Sequence, residues 1–204
     1  ISVPNGEALA GRTMNARLGI LGGLSVLGTT GVVVPYSCSA WVHSIHRGVD
    51  VAAALGICHL GASTGKTSEA ALQRELTLPD QALIDMGDMA GALLKYLRAR
   101  PPRKLTLCGG FAKLAKLAAG AMDLHSKASA VDIARLAALL PAELRAEGRA
   151  CSSAAQVLAL GEAAGIGDAV AKGARETCLA VLAGGTEVAV IAVDRAGRVV
   201  GRAG

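Results

Sequence analysis

Aromatic side chains are almost missing from this sequence: Tyr36, Trp41, Tyr96 and Phe111 together make up 2% of it. So few rings exclude a base-stacking nucleic-acid surface and require a core built from Ala, Leu and Val. Charge is also sparse, at 18% of residues, with no long run of one sign. No Cys-x-x-Cys occurs. The five cysteines, Cys38, Cys58, Cys108, Cys151 and Cys178, are odd in number, and several sit inside apolar runs. There they act as small hydrophobes, which fits a reduced, cytoplasmic setting, and no signal peptide is visible. A GxSxG nucleophile elbow is lacking, and the run "GILGGLSVLGTTG" does not fit the GxGxxG dinucleotide fingerprint. His43 and His46 stand three apart, but no third ligand has metal-site spacing, and adjacent Cys58 and His59 would point to opposite sides of a strand. No metal is expected.

What is present is a chain of 204 residues that is 52% hydrophobic, enough for a substantial core and for a single α/β domain over residues 1–204. The net charge of +5 favours an anionic partner, whether phosphates, carboxylates or nucleic acid, and the shortage of rings argues against the last. The densest basic group, Arg98, Arg100, Arg103 and Lys104, reads as a solvated helix end. The segment from Leu18 to Val42 carries no charge, yet its many glycines and Pro35 suit a buried strand and a glycine-rich loop better than a membrane span. The opening "ISVPNG" has no methionine and reads as a strand already under way, so a piece of a longer two-domain protein is expected.

Strand-like and helix-like segments alternate. Strands are predicted at Arg17–Leu21, Ile57–Leu60 and Lys104–Cys108, each ending in a glycine turn. Helices are predicted from Ser37, which would cap the first, to Leu55, and over Lys66–Glu75, Gly87–Arg98, Phe111–Ala119, Val131–Leu140, Ala142–Gly148, Ser153–Ala164 and Asp168–Leu182. A closing antiparallel hairpin joins Glu187–Val193 to Arg198–Val200. The alternation predicts a parallel, doubly wound α/β sheet with flanking helices, whose strand-to-helix turns share the carboxyl edge. The turns at Gly22–Gly23, Gly61–Thr67 and Gly109–Lys113 should then meet in one crevice.

The second of these turns, "LGASTGKTSE" at 60–69, resembles a phosphate-binding loop, which needs Gly, four residues, then Gly-Lys-Ser/Thr. Gly65-Lys66-Thr67 is in place, but Gly61 precedes it by only three intervening residues, and Leu60 holds the position reserved for glycine. A turn that grips an anion at a helix N-terminus is the better reading. Lys66, Lys113 and Lys116 would add positive charge, and Ser63, Thr64 and Thr67 hydroxyl donors. Lys113 and Lys116 are expected on one helix face. Asp85 and Asp88 lie at or before a helix start, where Asp88 would cap the helix or serve as a ligand carboxylate. Asp123 and His125 form either local hydrogen bonds or an acid–imidazole pair.

Four stretches occur together and in order: "ISVPNGEALAGRTMNARLGILGGLSVLGTTGVVVPYS", "GASTGKTSEAAL", "DMGDMAGALLK" and "FAKLAKLAAGAMDLHSKAS". Together they resemble the cobalt-precorrin-5B C1-methyltransferase family, CbiD, of anaerobic cobalamin biosynthesis. The resemblance is strong to about Asp132 and loose beyond. It implies S-adenosylmethionine-dependent methylation of C1 of cobalt-precorrin-5B to give cobalt-precorrin-6A. The substrate would be a cobalt corrinoid with carboxylate side arms, and the partner the missing N-terminal portion of the same protein. On this reading Gly22, Gly23, Ser63, Thr64, Gly65, Lys66 and Thr67 hold the methyl donor. Lys113, Lys116 and Asp123 hold the substrate arms, and Asp88 and His125 serve the reaction. Gly109-Gly110 stands where many relatives carry a histidine-containing glycine turn. Two rival readings remain, an ATPase or kinase-like domain using the Gly-Lys-Thr turn and a non-catalytic tetrapyrrole-binding module.

Overall fold

The computed structural model describes residues 3–24 and 37–204. A short helix α1 (Gly6–Ala10) and a 3-10 turn (Ala16–Leu18) lead to α2 (Cys38–Ala54), which Ser37 caps by accepting the Ala40 N–H at 3.3 Å. The central part runs β1 (His59–Ser63), α3 (Lys66–Glu75), β2 (Leu83–Asp85), α4 (Ala90–Ala99), β3 (Lys104–Gly110) and α5 (Phe111–Ala118). Three shorter helices follow: α6 (Ile133–Ala138), α7 (Arg145–Ala150) and α8 (Ala154–Gly161). The chain then closes with α9 (Ile166–Leu182), β4 (Glu187–Val193) and β5 (Val199–Ala203).

The sheet order is β2-β1-β3-β4-β5, parallel except for the antiparallel β4–β5 pair. The chain thus steps from β1 to β2 on one side and from β2 back to β3 on the other. Right-handed crossovers then force α3 onto one face and α4, α5 and α9 onto the other. The strand residues alternate accordingly. Cys108, Ile191 and Val193 pack with Leu72 of α3. Leu105, Leu107, Val188 and Val190 pack with Leu93, Leu94, Leu97, Leu114, Leu117 and Cys178 on the opposite face. Each buried leucine there stabilises the fold by about 1.5–3 kcal/mol, so an aliphatic interior holds this sheet without aromatic help.

Residues α6–α8 form a cap on α5 and α9. The first turn of α9 lies on β5 so closely that a Cβ on Gly167 would overlap the Val200 carbonyl and one on Gly201 the Gly167 backbone. Asp168 Oδ1 accepts the Arg202 N–H there at 2.7 Å.

Four sequence expectations differ from what is found. The strand expected at Ile57–Leu60 is β1 at His59–Ser63, so Gly61 lies within it rather than in the turn. Arg17–Leu21 is no strand: Ala16–Leu18 is a 3-10 turn, Gly19 is left-handed, and Leu21 is 81% exposed. The bond from Ile20 N–H to Asn15 O closes the turn locally, so the segment's polar backbone is satisfied without a sheet partner. The loop half of the uncharged Leu18–Val42 stretch falls largely on residues 25–36, outside the described residues. Strand β2, only three residues long, was not expected at all. Helix α4 begins at Ala90 rather than Gly87, with Met89 at its N-cap, so Asp88 caps nothing.

Candidate active site

The strand order reverses at β1, so the carboxyl ends of β1 and β3 mark the point where doubly wound sheets open a crevice. The corner after β1 is Thr64-Gly65. Gly65 has φ +145° and ψ 177°, a region that is essentially glycine's alone. That backbone lets the chain enter α3 with only two connecting residues. Gly61, by contrast, lies inside β1, where a Cβ would crowd Leu72, Leu78 and Leu83. It lets α3 pack on the sheet, so no phosphate-wrapping loop exists between Gly61 and Gly65.

Neither α3 nor α5 has a side-chain cap: their N-caps are Gly65 and Gly110. First-turn N–H groups at such ends seek acceptors and carry the positive end of the helix dipole. The two corners are tied together. Gly110 N–H donates to Thr64 Oγ1 at 3.3 Å, and Lys113 Nζ donates to Thr64 O at 2.7 Å. Ser68 Oγ folds back, accepting from Thr64 N–H at 3.1 Å and donating to Gly65 O at 2.8 Å. Space above Gly65 and Gly110 is open, since a Cβ on either would meet nothing within 4 Å. A ligand can therefore approach both backbones closely.

The corner after β2 joins them. Lys113 Nζ stands 3.0 Å from Asp88 Oδ1, an ion pair outside hydrogen-bond alignment, and that shielded oxygen has no other partner among the described residues. Asp88 O accepts from Leu124 N–H at 2.8 Å, which brings the 123–129 loop to the crevice. There Asp123 Oδ1 accepts the His125 N–H at 2.9 Å, and His125 Nδ1 accepts the Lys127 N–H at 3.1 Å. These are local bonds, so no acid–imidazole pair forms. With Nδ1 accepting, the neutral ring carries its proton on Nε2 and presents a donor.

Lys116 is not beside Lys113 at the crevice. It is 8% exposed, and its ammonium donates to Leu124 O at 2.9 Å. It anchors the 123–129 loop from beneath, whereas Lys113 reaches over the corner. Lys66 and Thr67 are exposed on the first turn of α3, Thr67 beside the hairpin turn at Gly197. Gly22 and Gly23 do not form a strand-to-helix corner: they follow the 3-10 turn, with Gly23 O accepting from Asn15 Nδ2 at 3.2 Å. Two of the three expected glycine corners therefore meet. Arg17, on that 3-10 turn, still reaches the crevice wall through a bidentate pair with Glu69 at 2.9 Å for each bond.

Beside that pair, Asp85 ends β2 on the α3 face, in register with Ser63. Ser63 is 1% exposed, and its hydroxyl lacks any partner among the described residues. Among the described residues, Asp85 Oδ1 accepts only the Gly87 N–H, at 3.2 Å. Burial pushes its carboxyl above the ordinary value, opposed by that bond. The indole Nε1 of Trp41 donates to Asp85 O at 3.3 Å, and the ring stands against Gly87. Sequence spacing carried no hint of Trp41 or Glu69, because their partners lie 44 and 52 residues away. His46, once a metal candidate, stacks on Tyr96 at 3.9 Å.

A cleft of about 610 Å³ runs along the C-terminal half of α5, between α6 and α9, floored by Ala115, Ala118 and Gly173. Two of its rim groups are already engaged: Asp132 caps α6, and Arg135 bonds Ala118 O at 3.2 Å. The uncapped helix ends, the open glycine backbones and the Lys113–Asp88 pair lie instead at the sheet edge.

Comparison with known proteins agrees in order along the chain. Residues 1–35 match the CbiD family model, and residues 123–204 match that of the CbiD C-terminal domain. The chain is 52% identical over 210 residues to a cobalt-precorrin-5B C(1)-methyltransferase of Bradyrhizobium sp. (strain BTAi1), aligning 99% of itself with 56% of that protein. Similar proteins of the same name occur in Paramagnetospirillum magneticum, 53% identical with 100% and 58% covered, and in Rhodospirillum rubrum, 54% identical with 100% and 59% covered. The chain thus spans a little over half the length of these relatives. No solved structure matches it. With family matches at both ends and about half of all residues shared across its length, the chain belongs to the CbiD family.

Proposed function

We propose that the chain provides the ligand-gripping sheet edge of an S-adenosylmethionine-dependent methyltransferase. It acts with the further length its relatives possess. The reaction is methylation of C1 of cobalt-precorrin-5B to give cobalt-precorrin-6A in anaerobic cobalamin synthesis, in the cytoplasm. One observation carries this reading. Two uncapped helix N-termini and Lys113 meet at the sheet's reversal point. They do so in a chain with 52–54% identity to proteins bearing that name.

The residues fit a zwitterionic methyl donor. The first turns of α3 and α5 and the Lys113 ammonium suit a carboxylate. Asp88 suits the amino group or a ribose hydroxyl, and Thr64 and Gly65 line the open backbone between. Bound there, the donor supplies an electrophilic methyl group. The chain's task is alignment, which by itself removes much of the barrier to a two-body transfer. The substrate's carboxylate arms find donors in His125 Nε2–H and the exposed Lys66 at the crevice rim. Asp123 shapes the His125 turn, and Lys116 holds it in place.

The Gly-Lys-Thr turn does not favour a nucleotide triphosphate, since Gly61 is locked into β1. Calorimetry with S-adenosylhomocysteine and with magnesium–ATP separates the readings. Binding of the former without magnesium, weakened by Lys113→Met, supports the methyltransferase. Binding of ATP alone overturns it.

A further inference from the structure

The two carboxylates at the crevice are not equivalent. Asp88 already has a counter-ion, the Lys113 ammonium at 3.0 Å. The cation next to Asp85 is Arg17, and both of its terminal nitrogens are spent on Glu69 at 2.9 Å. Among the described residues no cation lies within ion-pair distance of Asp85, whose single hydrogen bond comes from Gly87. A half-buried carboxylate with so little local compensation is expensive to keep ionised. The direction of its pKa, raised by burial, agrees.

Two neighbours add to this. Trp41 is 44% exposed, yet it is pinned to the 85–87 corner by its bond to Asp85 O and its contact with Gly87. The indole and the carboxylate are thus held at one corner, both through Gly87: its N–H bonds Asp85 Oδ1 and the Trp41 ring stands against it. A ring and an anion at one corner can together attract a weakly hydrated cation, through the ring quadrupole and through charge. On the other side, in register with Asp85, the fully buried Ser63 hydroxyl has a hydrogen bond left to make.

We infer that Asp85 and Trp41 form a cation-recognising wall of the crevice, which selects the positively charged sulfonium of the methyl donor over its neutral thioether product. This rests on the methyltransferase reading. It gives Asp88 the task of orienting Lys113 and meeting the donor's polar end, and gives product release a physical cause: once the methyl has left, the charge that Asp85 and Trp41 attract has gone. Ser63 Oγ offers a further acceptor or donor under the same wall.

The test is calorimetry on the full-length protein with S-adenosylmethionine and S-adenosylhomocysteine in parallel, for the wild type, Asp85→Asn, Trp41→Leu and Asp88→Asn, with far-UV circular dichroism confirming the fold of each. The expected wild-type preference for the charged ligand is about 5–10-fold, the size of a partly exposed cation–π and charge contact. Asp85→Asn and Trp41→Leu should each bring the ratio close to one while changing affinity for the neutral ligand less than about twofold. Asp88→Asn should weaken both ligands together and keep the ratio. A ratio unaffected by either Asp85→Asn or Trp41→Leu overturns the inference, as does collapse of the ratio in Asp88→Asn. Failure of the wild type to bind either ligand overturns the methyltransferase reading itself. If one variant unfolds, the other decides the matter.

Discussion

Lys113 Nζ donates to the main-chain oxygen of Thr64 at 2.7 Å, across 49 residues of sequence, and so ties the N-terminus of α5 to the end of β1. The same ammonium balances Asp88 at 3.0 Å, so one side chain joins three strand ends. Lys113→Met should lower stability by about 1 kcal/mol, because Thr64 O loses a charged donor while the pair is partly exposed and screened. Affinity for S-adenosylhomocysteine should fall more than stability does. Urea denaturation and calorimetry measure the two. Equal affinity in the variant would remove Lys113 from the site.

Gly65→Ala should damage the corner by a different route. At φ +145° a Cβ is strained even though the space around it is empty. The expected cost is about 1–3 kcal/mol in denaturant midpoint experiments, with ligand binding lost as the first turn of α3 reorients. Gly110→Ala, at an ordinary φ of −61°, should cost far less stability and test open space alone.

Asp85 gives stability a pH signature. Its folded carboxyl lies above the ordinary value of 3.8 because burial disfavours the charge. Such a group favours folding fully below the unfolded value, and that contribution is lost as pH rises through the folded value. Asp85→Asn should therefore be more stable than wild type at neutral pH, with the gain vanishing as pH falls below about 4. Denaturation of both proteins across pH 3.5 to 7.5 reads the difference directly. A gap of constant size throughout would contradict it.

Thiol chemistry should divide the cysteines by depth. Cys108 and Cys178 are buried, and desolvation pushes each thiol up to about 12. Cys38 and Cys58 are exposed. At pH 8 a disulfide reagent should modify Cys38 and Cys58 quickly, Cys151 more slowly, and Cys108 and Cys178 only when the protein opens. Peptide mass mapping over time assigns the order.

Local pattern was a good guide wherever an element is decided by its own residues. Helix α3 spans Lys66–Glu75 and β4 spans Glu187–Val193, as their periodicity indicates. The hairpin turn is written in Asp194, whose Oδ1 accepts from Ala196 and Arg198 at 2.9 Å each. Pattern failed where a segment is too short to show a period, as in β2, or where a local turn satisfies the backbone first, as at Ala16–Leu18. Lys113 and Lys116 share helical spacing, yet one bonds the β1 corner and the other is buried under Leu124. Spacing of three places two side chains on neighbouring sides of a helix, but what each one meets depends on the chain segments packed there.

Composition and order along the chain alone determined an aliphatic α/β protein, its alternation of strand and helix, and a glycine turn within residues 61–67, because these follow from local sterics and burial. Only the tertiary structure decided which charges are spent and which are left over. Arg17 with Glu69, Lys113 with Asp88 and Trp41 beside Asp85 are pairings of distant residues. They arise from the crossover order of the strands, and electrostatics at a few ångströms cannot be read from separation along a chain.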